Sequence, residues 1–266
     1  MKLSILGSCS GTEPFENRHH TAFALELGDR IFWFDAGETC SHTAHLMGLD
    51  LLRVSDIFIS HPHMDHVGGL ANLLWTIRKL SKVKKEQPRY GDLHVYIPSE
   101  KTWNGILAVL EESEGGYKND YQTLSHPIFD GVLLENSEIR VTAMHNLHLK
   151  EPADGVWRSF SYLIEAEGKR IVFSGDVNDL SELSPWLCHG CDLLLMGRGI
   201  IIPIRFVSVW LMKATKSERL DFCTTGGIFS TVTMKCWRPA ERSSPTLSFL
   251  RIGIRWSSKE DRYEAS

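Results

Sequence analysis

Between Ser60 and Gly69 the chain reads Ser-His-Pro-His-Met-Asp-His-Val-Gly-Gly. Three imidazoles, His61, His63 and His66, and the carboxylate of Asp65 thus fall within six positions, directly after an apolar stretch. A strand that ends in a tight turn points alternate side chains into one pocket, so His61 and His63 are placed to share one ion. If the next turn enters a helix, Asp65 and His66 come to a second ion beside the first. Neutral imidazoles with a carboxylate are the donor set that zinc favours. Gly68 and Gly69 leave room for the close backbone approach that a crowded metal loop needs. A chance cluster of surface histidines is the bland alternative, and the density of the spacing argues against it.

The elements that must position these residues alternate in type up to about Met196. Lys2–Leu6 reads as a strand, and Thr21–Leu27 with Arg30–Asp35 as a hairpin turning at Gly28-Asp29. Val54–Ser60 is a compact apolar strand that leads into the metal loop. From Val67 to Leu80 the apolar residues Leu70, Leu73, Leu74 and Ile77 recur at helical spacing. Leu93–Pro98 predicts a strand and Trp103–Glu112 a helix. Ile139–Met144, Ser159–Ala166 and Arg170–Ser174 form a second strand group, followed by a helix over Asp179–Leu187 and a buried strand over Asp192–Met196. Hairpins mixed with crossover helices predict an α/β (α+β) architecture of two sheets covered by helices, a four-layer αββα sandwich.

An apolar fraction of 42% with 23% charged residues is ordinary globular composition, which excludes a disordered chain. The net charge of −4 gives no overall pull toward nucleic acid or membrane. The opening Met-Lys-Leu-Ser-Ile-Leu-Gly has too short an apolar run for a signal peptide, so a cytoplasmic location is expected. A membrane span over Leu193–Met212 would place Arg198 and Arg205 in lipid, so no membrane partner is expected. Of six cysteines only Cys188 and Cys191 have C-x-x-C spacing, and small reduced thiols are the favoured reading. Oligomeric state is open.

The charge is unevenly spread. Residues 1–196 carry 17 basic and 27 acidic side chains, residues 197–266 carry 12 and 6, and every one of the 12 histidines lies at or before His189. The expected organisation is therefore a metal-binding domain over 1–196 and an atypical basic tail over 197–266.

His-Pro-His-Met-Asp-His-Val-Gly-Gly-Leu resembles the H-x-H-x-D-H signature of the metallo-β-lactamase superfamily. The opening Leu-Gly-Ser-Cys-Ser-Gly-Thr-Glu-Pro and Phe34-Asp35-Ala36-Gly37-Glu38 resemble its ribonuclease Z-like branch. The resemblance covers about the first three quarters of the chain. It implies a further histidine after a strand in the second half, and Met144-His145-Asn146-Leu147-His148 offers two. His148 is the preferred ligand and His145 a loop residue beside it. It implies a bridging carboxylate in a Gly-Asp turn after a strand, which Phe173-Ser174-Gly175-Asp176 fits, so Asp176 is placed between the ions. Asp35 would orient the metal loop without binding metal, with a plain turn residue as the equal alternative. The implied set is His61, His63 and His148 on one ion and Asp65, His66 and Asp176 on the other. The ions are two divalent cations, zinc first and manganese as the alternative.

The family pattern also asks for a histidine near the C-terminus, which this chain lacks, so the second site would be weakened. Related proteins commonly run from the strand equivalent to Asp192–Met196 into Glu-Thr-Gly-His-His, and later into a Leu-His-His-Gly-Arg-like turn. Here the text is Gly197-Arg198-Gly199-Ile200-Ile201, and later Cys223-Thr224-Thr225-Gly226-Gly227. Met196 to Ile201 can be encoded ATG GGA CGG GGC ATC ATA. One A restored after the fourth base turns this into Met-Glu-Thr-Gly-His-His. In the same restored frame, Asp221 to Phe229 can be encoded to read Leu-Leu-His-His-Gly-Arg-Asp-Phe. A single shift of frame thus permits both missing motifs and accounts for the lost histidines and the reversed charge. A genuine basic appendage accounts for the charge alone.

The chemistry implied is hydrolysis. Two cations lower the pKa of a shared water to near neutrality, supplying hydroxide for attack on phosphorus or a carbonyl. Asp65 would orient that water and take or return its proton. A phosphodiesterase or ribonuclease Z-like nuclease acting on a small-molecule or nucleic-acid phosphodiester leads. A carbon-ester or lactone hydrolase, or a non-catalytic metal-binding remnant, follows. No long insertion resembling the tRNA-gripping arm of ribonuclease Z is evident, which favours phosphodiester hydrolysis in general. The basic run Arg78, Lys79, Lys82, Lys84, Lys85 and Arg89 could grip a phosphate backbone, and a solvated helix end is the favoured reading.

Overall fold

The computed structural model describes residues 1–9, 11, 19–113, 116–150, 152 and 154–197, with the short strands 210–211, 221–223, 229–231 and 250–251. The first sheet is built from β1 (Lys2–Gly7), β2 (Ala22–Leu27), β3 (Arg30–Phe34), β4 (Val54–Phe58), β5 (Leu93–Tyr96) and β6 (Thr123–His126), side by side in that order, its central strands apolar and buried. The second sheet sets β7 (Gly131–Glu135), β8 (Ile139–His145), β9 (Phe160–Ala166), β10 (Lys169–Asp176) and β11 (Leu193–Gly197) in sequence order. The β9–β10 turn places Glu167 and Gly168 at positive φ, 49° and 71°, the backbone that a two-residue hairpin between twisted strands requires.

From β3 to β6 the first sheet is parallel, so its crossovers must be helical. They are α3 (Leu70–Lys84), between β4 and β5, and α4 (Glu100–Glu111), between β5 and β6. With α1 (Cys40–Leu46) they bury Leu70, Leu73, Leu74, Ile77, Trp103 and Ala44 on the sheet's outer face. A smaller cluster, Leu183 and Trp186 on Leu163, Val172 and Leu194, covers the outer face of the second sheet. Between the sheets, Phe23, Phe34, Phe58 and Tyr96 stack in a row with centroids 4.8, 5.0 and 4.5 Å apart, and Tyr162 meets the row edge-on. The four layers of the αββα sandwich are thus present. Among the described residues no helix is long and apolar enough to cross a membrane.

Several expectations change in detail. The single helix expected over Val67–Leu80 is two, α2 (Met64–Val67) and α3. They part at Gly68-Gly69 because Gly69 lies against another loop: a Cβ there would stand 2.6 Å from the Gly37 carbonyl oxygen. The helix expected over Asp179–Leu187 is a 3-10 turn (Leu180–Leu183) followed by α5 (Ser184–Leu187), with Pro185 in its first turn. Strands β6 and β7 and helix α1 were not expected. β6 is a short polar edge strand, β7 a run without alternation, and α1 a seven-residue helix rich in Ser, Thr and His. Most of the expected basic tail, including Arg198–Ile201 and Thr224–Gly227, lies outside the described residues.

Candidate metal centre

The centre sits where the C-terminal ends of β4 and β10 meet. β4 runs through Ile59 and Ser60 into His61, and His63 precedes α2, which carries Asp65 and His66 in its single turn. His148 comes from the turn after β8, and Asp176 is the last residue of β10. Ligand atoms of His61, His63, His148 and Asp176 all lie within 4.8 Å of one another, and those of Asp65, His66 and Asp176 do likewise.

The nitrogens face inward. His61 Nε2 and His148 Nε2 each stand 3.1 Å from His63 Nδ1, so His63 presents the opposite ring nitrogen from its neighbours. Asp176 divides its carboxylate between the groups. Its Oδ2 is 3.5 Å from His148 Nε2 and 3.9 Å from His61 Nε2, and its Oδ1 is 3.5 Å from His66 Nε2. Three imidazole nitrogens converging on one point, with a carboxylate facing both groups, is a donor set that fits a pair of divalent ions.

Asp35 organises this arrangement. It is wholly buried at the end of β3 and takes a positive φ of 53°, uncommon for a residue with a side chain. Its Oδ1 accepts the Ser60 backbone N–H at 2.6 Å, and its Oδ2 accepts the Ser60 hydroxyl at 2.8 Å. The same Oδ2 lies 2.6 Å from His66 Nδ1, which donates to it. With Nδ1 as the donor, the neutral form of His66 carries its lone pair on Nε2, toward the centre. Ser60 Oγ, its proton given to Asp35, is 3.0 Å from His61 Nδ1 and can accept from it, which sets His61 the same way. One buried carboxylate therefore fixes the tautomer of both histidines.

Burial pushes the Asp35 carboxyl up, against the pull of His66 and Ser60. Burial also opposes charge on His66, but Asp35, Asp176 and Asp65 overcome it and hold that imidazole well above its ordinary pKa. His61 is driven far down by burial and by the neighbouring imidazoles. His148 is lowered too, chiefly by burial. Asp65 resists partial burial and falls to about 2, held ionised by His66 and by backbone N–H groups that include Gly11.

All six residues singled out from the sequence, His61, His63, Asp65, His66, His148 and Asp176, come together. His145 does not: its Nδ1 bonds Asp130 Oδ2 at 2.6 Å and its ring stacks on Trp157. Two participants escaped the sequence reading. Ser60 is the hub beside Asp35, and the Gly11 N–H donates to Asp65 Oδ2 at 2.8 Å. Ser60 adjoins the histidine motif, but nothing in its type announces a contact 25 residues back in the chain. The glycine in the opening loop could be noticed only as part of the resemblance.

A family model described as the anti-Pycsar protein Apyc1 matches residues 1–196. The chain belongs to this family. It falls within the metallo-β-lactamase superfamily, on its ribonuclease Z-like side. The Apyc1-family chain is 31% identical over 150 residues to the ribonuclease Z of Methanothermobacter thermautotrophicus, covering 56% of this chain and 45% of that one. To the ribonuclease BN of Proteus mirabilis it is 26% identical over 208 residues, covering 76% and 61%. The match thus spans less than two thirds of either relative. Among solved structures, the short form of human tRNase Z superposes with a TM-score of 0.57 at 22% identity, covering 73% of this chain and 76% of that one. The metallo-β-lactamase fold protein YhfI of Bacillus subtilis superposes at 0.54 and 17%, covering 72% and 69%. Both likenesses show the fold.

Proposed function

We propose that the chain is a zinc-dependent phosphodiesterase of the ribonuclease Z-like type, with manganese as an alternative ion, acting in the cytoplasm on a small-molecule or nucleic-acid phosphodiester. The observation that carries this reading is Asp176, whose two oxygens each face a separate group of ligand atoms. His61, His63 and His148 would hold one ion, Asp65 and His66 the other, and Asp176 both. When bound, such ions supply Lewis acidity and a water acidic enough to lose its proton near neutrality. The chain's own residues do the rest. Asp35 and Ser60 keep the ring nitrogens of His66 and His61 aimed inward. Asp65, kept ionised and steadied by the Gly11 amide, orients the water and takes or returns its proton at its carboxylate.

The test is a comparison of an activated phosphodiester and a lactone side by side, with added zinc or manganese. Faster turnover of the phosphodiester is expected, and a preference for the lactone would overturn the substrate class. A carbon-ester or lactone hydrolase using the same residues is the reading that would then stand.

The proposal extends to the organisation of the chain: 1–196 as the hydrolase domain and 197–266 as an out-of-frame reading of its C-terminal part. Two observations support it. The family match ends at Met196. Gly197 is the Cα partner of Asp176 across β10 and β11, so the chain leaves the described sheet beside the bridging carboxylate. Histidines restored at positions 200 and 201 would follow only three residues later, within reach of the centre. A Cβ at 197 would stand 2.7 Å from both Asp176 Oδ1 and the Gly175 carbonyl oxygen, so a restored glutamate there needs the strand end to move. As written, the chain is expected to be impaired, because the second group offers a single imidazole. Sequencing the gene around codon 197 decides the matter: a gene unable to encode the His-His pairs in the shifted frame removes the proposal.

A further inference from the structure

Three histidines, His61, His66 and His148, turn Nε2 toward Asp176, and they are not held alike. His61 has Ser60 Oγ at its far ring nitrogen, and His66 has Asp35. His148 shows no hydrogen bond at Nδ1 among the described residues, yet its Nε2 stands 3.1 Å from His63 Nδ1. Its ring meets those of His61 and His63 edge-on, and the backbone that carries it sets how it approaches them.

That backbone is gripped. Asn146, buried, donates from Nδ2 to Ser161 Oγ and to the Ser174 carbonyl at 3.2 and 3.4 Å, and its Oδ1 accepts the His148 N–H at 3.2 Å. Between them, Leu147 has both its polar backbone groups taken. Its N–H donates to Glu182 Oε2 at 2.6 Å, and its carbonyl accepts from Asn178 Nδ2 at 2.7 Å. The Leu147 side chain is 44% exposed, so packing contributes little to holding the turn. Glu182 is itself steadied, because its Oε1 accepts the Asp179 N–H at 2.9 Å in the capping box that opens the 3-10 turn. Both gripping residues lie on the segment that follows Asp176.

We infer that Asn178 and Glu182 are positioning residues, a two-point clamp on the Leu147 backbone that holds His148 in the first metal group and ties it to the strand end delivering Asp176. This rests on the metal centre proposed above. It predicts that zinc affinity depends on two side chains that touch no ion, and that the dependence follows donor and acceptor chemistry. Loss of such an outer partner typically weakens metal binding by about 10–100-fold.

The experiment titrates zinc into the full-length chain against a chromophoric chelator and records the visible spectrum of the cobalt-loaded protein. Glu182→Ala should weaken the tighter ion by about tenfold and alter the cobalt bands. Glu182→Gln, which can still accept the Leu147 N–H, should recover most of the affinity. Asn178→Asp, which loses the donor and sets a carboxylate against a carbonyl, should fall at least as far as Asn178→Ala. Asp179→Ala removes the side-chain cap on Ser181 but leaves both contacts to Leu147, and should bind zinc as the unsubstituted chain does. Equal losses in Asp179→Ala and Glu182→Ala would reduce the effect to general destabilisation and overturn the clamp. So would full affinity in Glu182→Ala while His148→Ala loses it. If His148→Ala itself keeps full zinc affinity and an unchanged cobalt spectrum, the metal-centre reading falls and the clamp with it.

Discussion

The two ligand groups of the centre share Asp176 but are built differently. The first takes imidazoles from two separate loops, so three ring nitrogens gather around a single carboxylate oxygen. The second takes two adjacent residues of one helical turn, a single imidazole and a carboxylate, and the imidazole is pinned by a buried Asp35. Among the described residues the first group gathers three imidazoles and the second one, and Gly197 of β11 lies beside the shared Asp176. On the organisation proposed above, affinity in the first group is set by residues 1–196 and in the second by the residues that follow Gly197. A site with fewer protein ligands loses its ion more readily.

The largest expected effect lies in the first group. His61→Ala, which removes a fully buried imidazole, should abolish most bound metal and lower phosphodiesterase turnover by at least ~10²-fold, the scale on which losing a group that stabilises developing charge is felt. Elemental analysis of the purified variant checks it. Full metal content would break the assignment of that group. Restoring the single base should act on the second group alone, raising metal content from about one ion per chain toward two and raising activity with it. Activity that rises without a second ion would mean that the restored segment serves substrate and not metal.

Asp35→Asn sharpens the contrast further. The amide can offer its N–H₂ to His66 Nδ1, which then becomes an acceptor and carries its proton on Nε2, facing the centre. The second ion should weaken by about 10–100-fold while the first is less affected. Equilibrium competition with a chelator, resolved into two phases, distinguishes the two. Gly175→Ala probes the frame beneath both groups. Gly175 takes a φ of 52°, and a Cβ there would stand 2.8 Å from the Phe160 carbonyl oxygen. A loss of about 1–3 kcal/mol in stability is expected, with Tm as the readout.

How much of this was legible in the residues depended on how local each cause was. The His61–His66 loop could be read directly, because strand, turn and helix follow one another within ten positions and the ligand types are dense. His148 and Asp176 were legible only through resemblance, since nothing near either residue says that the turn after β8 and the end of β10 meet the end of β4. Ser60, Gly11 and the clamp residues were illegible because their roles depend on loops packed against each other. The helix break at Gly68-Gly69 has the same origin: local periodicity continues through it, and only the approach of Gly37 forces the bend. β6 and β7 were lost because edge strands with little buried surface carry little alternation.

The smallest effect is expected far from both groups, in the basic run that could have been taken for a phosphate grip. Its charges are largely engaged at home. Arg78 donates to the carbonyls of Gly116 and Lys118, Lys79 lies over the Trp75 ring, and Lys84 pairs with Asp50. Arg89 pairs with Asp29 and Asp50, which hold its guanidinium more firmly protonated than usual. To grip a nucleic acid, Arg78, Lys84 and Arg89 would first have to leave an acidic or carbonyl partner, which cancels much of the gain. Arg89→Ala should therefore leave KM for an oligonucleotide phosphodiester unchanged, and the salt dependence of that KM should stay as it is. A KM that rises, with a salt slope shallower by about one, would show that the run reaches the phosphate backbone after all and would move the substrate from small diesters to nucleic acid.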